Sequence, residues 1–228
     1  MRKLSILVLV SLVGHTQAQT ANALIESVLD KINLVNDYKA ELQIKAVIPF
    51  IKVPIANATI YYKKTDKFKV ESKGIAILPK QGLSDLTGFL TNTKSYSAVL
   101  GEEKTINEHK TKLVSVLPSA ENSEIVLAKV YISPSDALIY RTVLTTKSSG
   151  TLSIDYEYNH NKQYALPSKL TFTVDIKKFK MPKSVASDIR NNDDKKKYKE
   201  NEKGTILLVF TNYEVNKGLS DAIFKEDQ

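Results

Sequence analysis

The sequence predicts a mainly β protein with a small helical part, built on an antiparallel sheet. From Tyr38 onwards, apolar and polar residues alternate over most of the chain, which is typical of strands with one wet and one buried face. These segments follow one another with little helix between them, which favours antiparallel pairing in a meander. Apolar residues recur at helical spacing in only two segments, Asn22–Asn36 and Gln81–Asn92.

The first eighteen residues have the order of a secretory signal peptide. Two basic residues precede the apolar run Leu4–Val13, and small or polar residues follow up to Ala18. This run is about half the length that a membrane-spanning helix needs. We therefore expect cleavage before Gln19, and we disfavour an anchor or a buried helix. The chain has no cysteine, so we expect neither disulfides nor a lipid attached at the cleavage site.

The mature chain, residues 19–228, is expected to form a single domain that starts with a helix. Leu24, Ile25, Val28, Leu29, Ile32 and Val35 recur at spacings of three and four, and Asn36-Asp37 ends the pattern. About nine strands follow. They are predicted near residues 38–48, 56–62, 67–73, 110–117, 124–133, 137–147, 151–158, 168–179 and 204–215. Ser148-Ser149-Gly150 and Asn161-Lys162 have the composition of hairpin turns.

Two segments interrupt the strand pattern. Gln81–Asn92 predicts a short amphipathic helix, and its apolar residues Leu83, Leu86, Phe89 and Leu90 suit either a lid over the sheet or an ordinary core helix. Lys183–Lys203 is polar and without period, so we expect a mobile loop. Its lysine-rich stretch suits either a solvated surface or a patch that steers the protein towards an anionic membrane or acidic partner.

The apolar faces of these strands predict a pocket. One long and one short helix can cover only part of such a sheet, so it must curl, partly close into a barrel or keep an apolar concavity. The side chains assigned to the concave side share the apolar parity of their strands. They are Leu42, Ile44, Ile60, Tyr62, Phe68, Val70, Leu152, Ile154, Phe172 and Val174.

Composition gives no support for an enzyme. The histidines beyond the leader, His109 and His160, have no metal-ligand spacing with other His, Asp or Glu residues. No nucleophile motif or glycine-rich phosphate loop is present. We expect no cofactor, no metal and no nucleic-acid partner. The formal net charge of +8 favours anionic lipids or an acidic protein face as partners, or serves solubility alone.

Three segments carry a resemblance to a known family. They are Leu24–Tyr38, a helix running into a strand; Ile60–Phe68, a strand with a basic turn and a following aromatic residue; and Asn212–Phe224, a closing strand with a terminal Asp-x-x-Phe. Together these segments resemble the corresponding parts of the LolA family, the periplasmic carriers that escort lipoproteins to the outer membrane. The resemblance covers nearly the whole mature chain.

The resemblance implies a strongly curved, unclosed half-barrel whose helices form a lid over an apolar cavity for acyl chains. It also implies a monomer that receives lipoproteins from an inner-membrane donor complex and passes them to an outer-membrane receiver. The chain departs from the family in two places. Lys64-Thr65 stands where the family has an Arg-Pro pair linked to lid closure, which makes Lys64 the candidate latch, and the Lys183–Lys203 loop is longer than expected.

The leading hypothesis is thus a periplasmic lipoprotein carrier. Alternatives are a carrier of another lipid or acylated molecule, a lipid-sensing regulator that binds a partner protein, and a β-rich structural module with a filled core. Bound lipid would separate the carriers from the structural module. A sensor usually has a second domain, for which this chain is short.

Overall fold

The computed structural model describes residues 20–49, 53–64, 67–72, 89–148, 150–175 and 203–225. Several predicted features lie outside these residues. They are the signal peptide, the lid residues Leu83 and Leu86, and residues 183–202 of the polar loop.

The chain enters the fold through helix α1, Ala21–Asn33. The Thr20 hydroxyl accepts a hydrogen bond from the Ala23 N–H (3.1 Å), which caps the first turn. The predicted helix is confirmed, but it ends three residues earlier than Asn36 because Leu34 and Val35 donate to carbonyls three residues back. The buried stripe of the helix has the predicted spacing and consists of Ala21, Leu24, Ile25, Val28 and Leu29.

Ten antiparallel strands follow the helix. They are β1 (Asp37–Val47), β2 (Ala56–Lys63), β3 (Lys67–Ser72), β4 (Tyr96–Ile106), β5 (His109–Pro118), β6 (Ile125–Ser133), β7 (Leu138–Thr146), β8 (Gly150–Glu157), β9 (Lys169–Asp175) and β10 (Lys203–Val215). Short 3₁₀ turns lie at Thr93–Ser95, Lys162–Tyr164 and Asp221–Phe224. The second of these replaces the hairpin turn predicted at Asn161-Lys162.

The strands form one sheet in the order β3-β2-β1-β10-β9-β8-β7-β6-β5-β4. The last strand pairs with the first, so the two ends of the domain meet in the interior of the sheet. Among the described strands, β3 and β4 are the two edges and do not pair with each other. The sheet is therefore open, and the predicted class, mainly β with an unclosed half-barrel and a helical lid, is confirmed.

Strand β4 was not predicted, and its position explains why. It is an edge strand, and most of its residues are exposed, including Val99 and Leu100 as well as the charged Glu102 and Glu103. Its sequence therefore lacks the alternation that a half-buried strand needs. A bulge between Leu100 and Glu103 breaks the pattern further.

The sheet must be curved, because its strands share one apolar core with α1. A flat sheet of ten strands would be about 40 Å wide, whereas a helix is about 10 Å wide. Yet one apolar cluster contains side chains from α1 and from all ten strands, with β3 contributing the half-buried Val70. The sheet must wrap around the helix to bring these side chains together. No helix within the described part of the chain is long and apolar enough to span a bilayer.

Candidate functional site

The strand register brings the predicted cavity residues to one face of the sheet. Ile60 pairs with Val70 and Tyr62 with Phe68, because β2 and β3 form a hairpin. Across the sheet, Leu152 pairs with Val174 and Ile154 with Phe172. Directly paired residues lie on the same face. The strands therefore place the predicted residues in two groups, one at the β3 edge and one in the middle of the sheet.

These residues differ in how far they are covered. Six of them are buried, namely Leu42, Ile44, Ile60, Ile154, Phe172 and Val174. Tyr62, Val70 and Leu152 are half-buried and pack at the margin of the core. Phe68 is 41% exposed on the edge strand β3. Their role in binding a ligand remains a prediction.

Tyrosines that the sequence analysis did not assign to the cavity also lie on this face. Tyr38 stacks on Tyr62 with ring centroids 5.3 Å apart, and it meets the edge of Tyr213 at 5.7 Å. Burial raises the pKa of Tyr38 and of Tyr213, so both phenols stay neutral. Tyr38 stands on the apolar parity of β1, but tyrosine is also common on wet faces, so parity alone did not assign it. Tyr213 is off the parity of Ile206, Leu208 and Phe210, and it reaches this face because the register of β10 shifts by one residue opposite β1.

One polar pair lies within the apolar face. The Thr142 hydroxyl is fully buried on β7, and the nearest described partner is the Tyr156 hydroxyl at 3.4 Å. Burial raises the pKa of Tyr156 to about 12. The face is therefore uncharged at this point, although it is not purely hydrocarbon.

The end of the predicted lid segment is fixed to the core. Phe89–Thr91 is helical, and Leu90 is buried in the main cluster. The Tyr96 hydroxyl donates to the Leu90 carbonyl (2.9 Å), and the Phe89 ring lies 5.3 Å from the Tyr96 ring. Leu90 and the buried stripe of α1 thus belong to the same apolar cluster.

The candidate latch, Lys64, contacts the C-terminal end of α1. Its ammonium donates to the Asn33 carbonyl (3.0 Å), and its backbone N–H donates to the Asn36 carbonyl (2.7 Å). A cation at a helix C-terminus satisfies an orphan carbonyl and complements the helix dipole. The β2–β3 turn therefore holds the end of the helix that lies over the apolar face.

The neighbouring lysines hold the C-terminal segment. Lys63 donates to the Leu219 carbonyl (2.8 Å) and pairs with Asp221 (2.6 Å). Lys67 pairs with the other oxygen of the same carboxylate at 2.9 Å. These two cations lower the pKa of the Asp221 carboxyl to about 2. The aspartate of the terminal Asp-x-x-Phe thus forms ion pairs with lysines on both sides of Lys64.

A buried carboxylate joins the first strand to the same segment. Asp37 is 5% exposed, and its side chain accepts the backbone N–H groups of Lys217 (2.9 Å) and Gly218 (3.0 Å). The Asn216 side chain in turn accepts from the Asn36 N–H (2.7 Å) and donates to the Leu34 carbonyl (2.9 Å). No local sequence signal indicates these contacts, because the partners are about 180 residues apart.

The two histidines that the structure describes, His109 and His160, lie in different surroundings. His109 stacks on Tyr140 at 3.8 Å, and its Nδ1 lies 3.8 Å from the Asp136 carboxylate. His160 is exposed in the loop between β8 and β9. Within the described ranges, no group of three or more His, Cys, Asp or Glu side chains is arranged to hold a metal ion.

Comparison with known proteins gives matches at the level of structure. No protein-family model matches the chain, and no curated protein matches its sequence. A LolA superfamily protein from Nitrosomonas europaea superposes with a TM-score of 0.60 at 12% identity, covering 92% of this chain and 99% of that one. A putative outer membrane lipoprotein-sorting protein domain from Vibrio parahaemolyticus gives a TM-score of 0.57 at 8% identity, with 88% and 95% covered.

A DUF1329 family protein from Desulfovibrio piger gives a TM-score of 0.56 at 11% identity, with 91% of this chain and 98% of that one covered. The similarity spans nearly the full length of all three structures, so it describes a whole domain. At 8–12% identity it establishes the fold alone. The chain therefore has a LolA-like fold, as the resemblance of its sequence predicts.

Proposed function

We propose that this protein is a periplasmic carrier that shelters the acyl chains of lipoproteins between its curved sheet and its helices. The observation that carries the proposal is the apolar face that continues across all ten strands and is covered, among the described residues, by α1 and Phe89–Thr91. In an open half-barrel of this kind, an apolar ligand can enter between the sheet and the helices when the helices move away.

The energetics favour a carrier that needs no energy source of its own. Each CH₂ group that leaves water contributes about 0.8 kcal/mol, so an exposed acyl chain has a strong tendency to enter an apolar site. When α1 moves away, its buried side chains, such as Leu24 and Ile25, lose contacts with the sheet. An acyl chain in the same place restores apolar contacts to the sheet, so the ligand compensates for the displaced helix.

The latch contacts suit a lid that opens reversibly. A charged side chain at a helix terminus contributes about 0.3–1 kcal/mol when it is exposed to solvent. Lys64 is exposed and holds the Asn33 carbonyl through one hydrogen bond. We propose that this bond, and not a rigid core contact, sets the closed position of the helix end, so that loading breaks it at low cost.

The proposed location and partners follow from the leader and from the fold. The N-terminal leader is expected to direct export, and one structural neighbour is described as a putative outer membrane lipoprotein-sorting protein domain. We propose that the carrier receives its cargo from an inner-membrane donor complex and delivers it to an outer-membrane receiver. We assign it no catalytic step, because sheltering and releasing an acyl chain breaks no covalent bond.

The direct test is to identify what the protein carries. Mass spectrometry of organic extracts, from protein purified without detergent, should detect acylated peptides. Free lipids alone would support the alternative, a carrier of another lipid. Extracts without any lipid, together with no binding of a fluorescent acyl probe, would contradict both.

A variant pair tests where the ligand binds. Ile154 is fully buried on the apolar face of β8, and its neighbour Ser153 points to the opposite face. In Ile154→Gln, an acyl chain that covers the amide removes it from water at a cost of about 1–3 kcal/mol. We therefore expect about 5- to 150-fold weaker binding of the acyl probe. Ser153→Gln is the matched control and should bind as the wild type does. Equal affinity of a folded Ile154→Gln would contradict the assignment.

A further inference from the structure

A cleft of about 410 Å³ opens between the loop that joins β8 to β9 and the end of β10. Asn159, His160 and Asn161 form one wall, and Phe210 and Tyr213 lie on the other side. Its volume is in the range of pockets that hold small molecules. The sequence analysis did not assign a site here, because its two walls are about 50 residues apart in the chain.

The cleft exists because β9 is shorter than β10. The pairing of these strands ends at Lys169 and Val209, and the next link is a hydrogen bond from the Phe210 N–H to the Ser168 carbonyl (2.8 Å). Beyond it, β10 has a bulge on its β1 side, where Asn212 and Tyr213 together oppose a single residue of β1. Asn212 has a left-handed backbone with φ of 50°. Bulges of this kind redirect side chains and are frequent beside binding sites.

The floor of the cleft is continuous with the apolar interior. Phe210 is 6% exposed and belongs to the main core cluster, and Tyr213 packs against that cluster. The two rings stack with centroids 5.9 Å apart. The Tyr213 hydroxyl is already used, because it donates to the Pro167 carbonyl (2.9 Å). The cleft and the apolar interior therefore share the rings of Phe210 and Tyr213.

The rim of the cleft is polar. Among the residues that the structure describes, none makes a side-chain hydrogen bond to Asn159, His160 or Asn161. None of the lining residues is acidic, and none is lysine or arginine. The charge of the adjacent Lys162 helps to lower the pKa of the Asp136 carboxyl.

The rim chemistry selects a class of head group. An asparagine amide both donates and accepts hydrogen bonds, so it matches groups that do the same, such as amides and hydroxyls. A phosphate or carboxylate is bound best by arginine, lysine or a row of backbone N–H groups. The cleft lining offers no lysine or arginine to an anionic head group, whereas it offers the amides of Asn159 and Asn161 to a neutral one.

We propose that this cleft binds the head group of the acylated ligand, and that this head group is uncharged and carries amide or hydroxyl groups. The inference rests on the proposed function, because the apolar floor matters only if an acyl chain occupies the half-barrel. It adds that the carrier recognises the polar end of its cargo as well as the chain.

The test compares two probes with the same chain, uncharged N-dodecanoyl glycinamide and anionic dodecanoate. Dissociation constants are measured by calorimetry for the wild type, for the double variant Asn159→Ala/Asn161→Ala and for Gln163→Ala. Gln163 is an exposed residue of the same loop that does not line the cleft, so it is the matched control. Two lost hydrogen bonds predict about tenfold weaker binding of the glycinamide. In the double variant, the dissociation constant of dodecanoate should change less than about twofold. Gln163→Ala should leave the dissociation constants of both probes unchanged.

Each other outcome has a defined meaning. Equal weakening of both probes by the double variant, or no weakening of either, overturns the head-group site and leaves the carrier function standing. Tighter binding of dodecanoate than of the glycinamide by the wild type overturns the neutral class. If the wild type binds neither probe, the proposed carrier function fails, and the head-group site fails with it. Ile154→Gln should weaken both probes, which shows that the assay detects chain binding.

Discussion

Removal of the Asp37 carboxylate should destabilise the fold, because this buried side chain joins β1 to the C-terminal segment. Asp37→Ala leaves the N–H groups of Lys217 and Gly218 without the acceptor that now lies 2.9 and 3.0 Å away. Hydrogen bonds to a charged group contribute about 1.5–3 kcal/mol. Lys217 and Gly218 are exposed, so water can partly replace the acceptor. The expected loss is therefore near the lower end, about 2 kcal/mol of the free energy of unfolding.

Urea denaturation followed by circular dichroism measures this loss, and thermal melting provides a second measurement. For a domain of this size, 2 kcal/mol corresponds to a decrease in Tm of about 4–8 °C. Asp37→Asn keeps one acceptor oxygen, so its stability should lie between that of Asp37→Ala and that of the wild type. Glu41→Ala is the matched control on the same strand, because it removes only an exposed hydrogen bond from Asn212 (2.7 Å).

Glu41→Ala should lower the free energy of unfolding by less than about 1 kcal/mol, because exposed polar contacts usually contribute no more than that. A stability of Asp37→Ala within about 0.5 kcal/mol of the wild type would refute the reasoning. A loss of the same size in Glu41→Ala would refute it as well, because burial would then not distinguish the two carboxylates.

Two further predictions concern the contacts at the end of the helix. The pKa of Asp221 is lowered to about 2 by Lys63 and Lys67, so its ion pairs should be complete above about pH 4 and should be lost as the pH falls through about 2. An NMR titration of this carboxyl checks the midpoint, which should rise in Lys67→Met; a wild-type midpoint near 3.9 would contradict the ion pairs. Lys64→Met should speed amide exchange in the last turn of α1 and lower stability by about 0.3–1 kcal/mol. Lys45→Met on the exposed side of β1 is the control, and equal exchange in both variants would show that Lys64 does not hold the helix.

The alternation of residue types predicted nine of the ten strands, and in strands such as β1 it reflects one buried and one wet face. It failed at β4, where the edge position leaves residues such as Val99 exposed together with their polar neighbours. The first helix was predicted for the same reason as the strands, since a helix packed on a sheet must show one apolar stripe. Its end was misplaced because i→i+3 hydrogen bonds, which leave no periodic signal, form at Leu34 and Val35.

The site was predictable in part. The paired apolar residues of β8 and β9, such as Ile154 and Phe172, follow from parity and register. The contacts of Asp37 with Lys217 and the cleft beside Phe210 depend on parts of the chain that are distant in sequence. A single sequence contains no periodic signal for such contacts. The pairing of β1 with β10 makes Asp37 and Lys217 neighbours, and the pairing of β9 with β10 brings the walls of the cleft together.

That pairing also constrains when the protein can fold. The strand order places β10, the last to be synthesised, between β1 and β9. Until β10 is available, the chain consists of one group of three strands and another of six, without the strand that links them. Contacts between residues so far apart in the chain form slowly, because a long loop must close first. A nascent chain would therefore remain incompletely folded until almost all of it has been made.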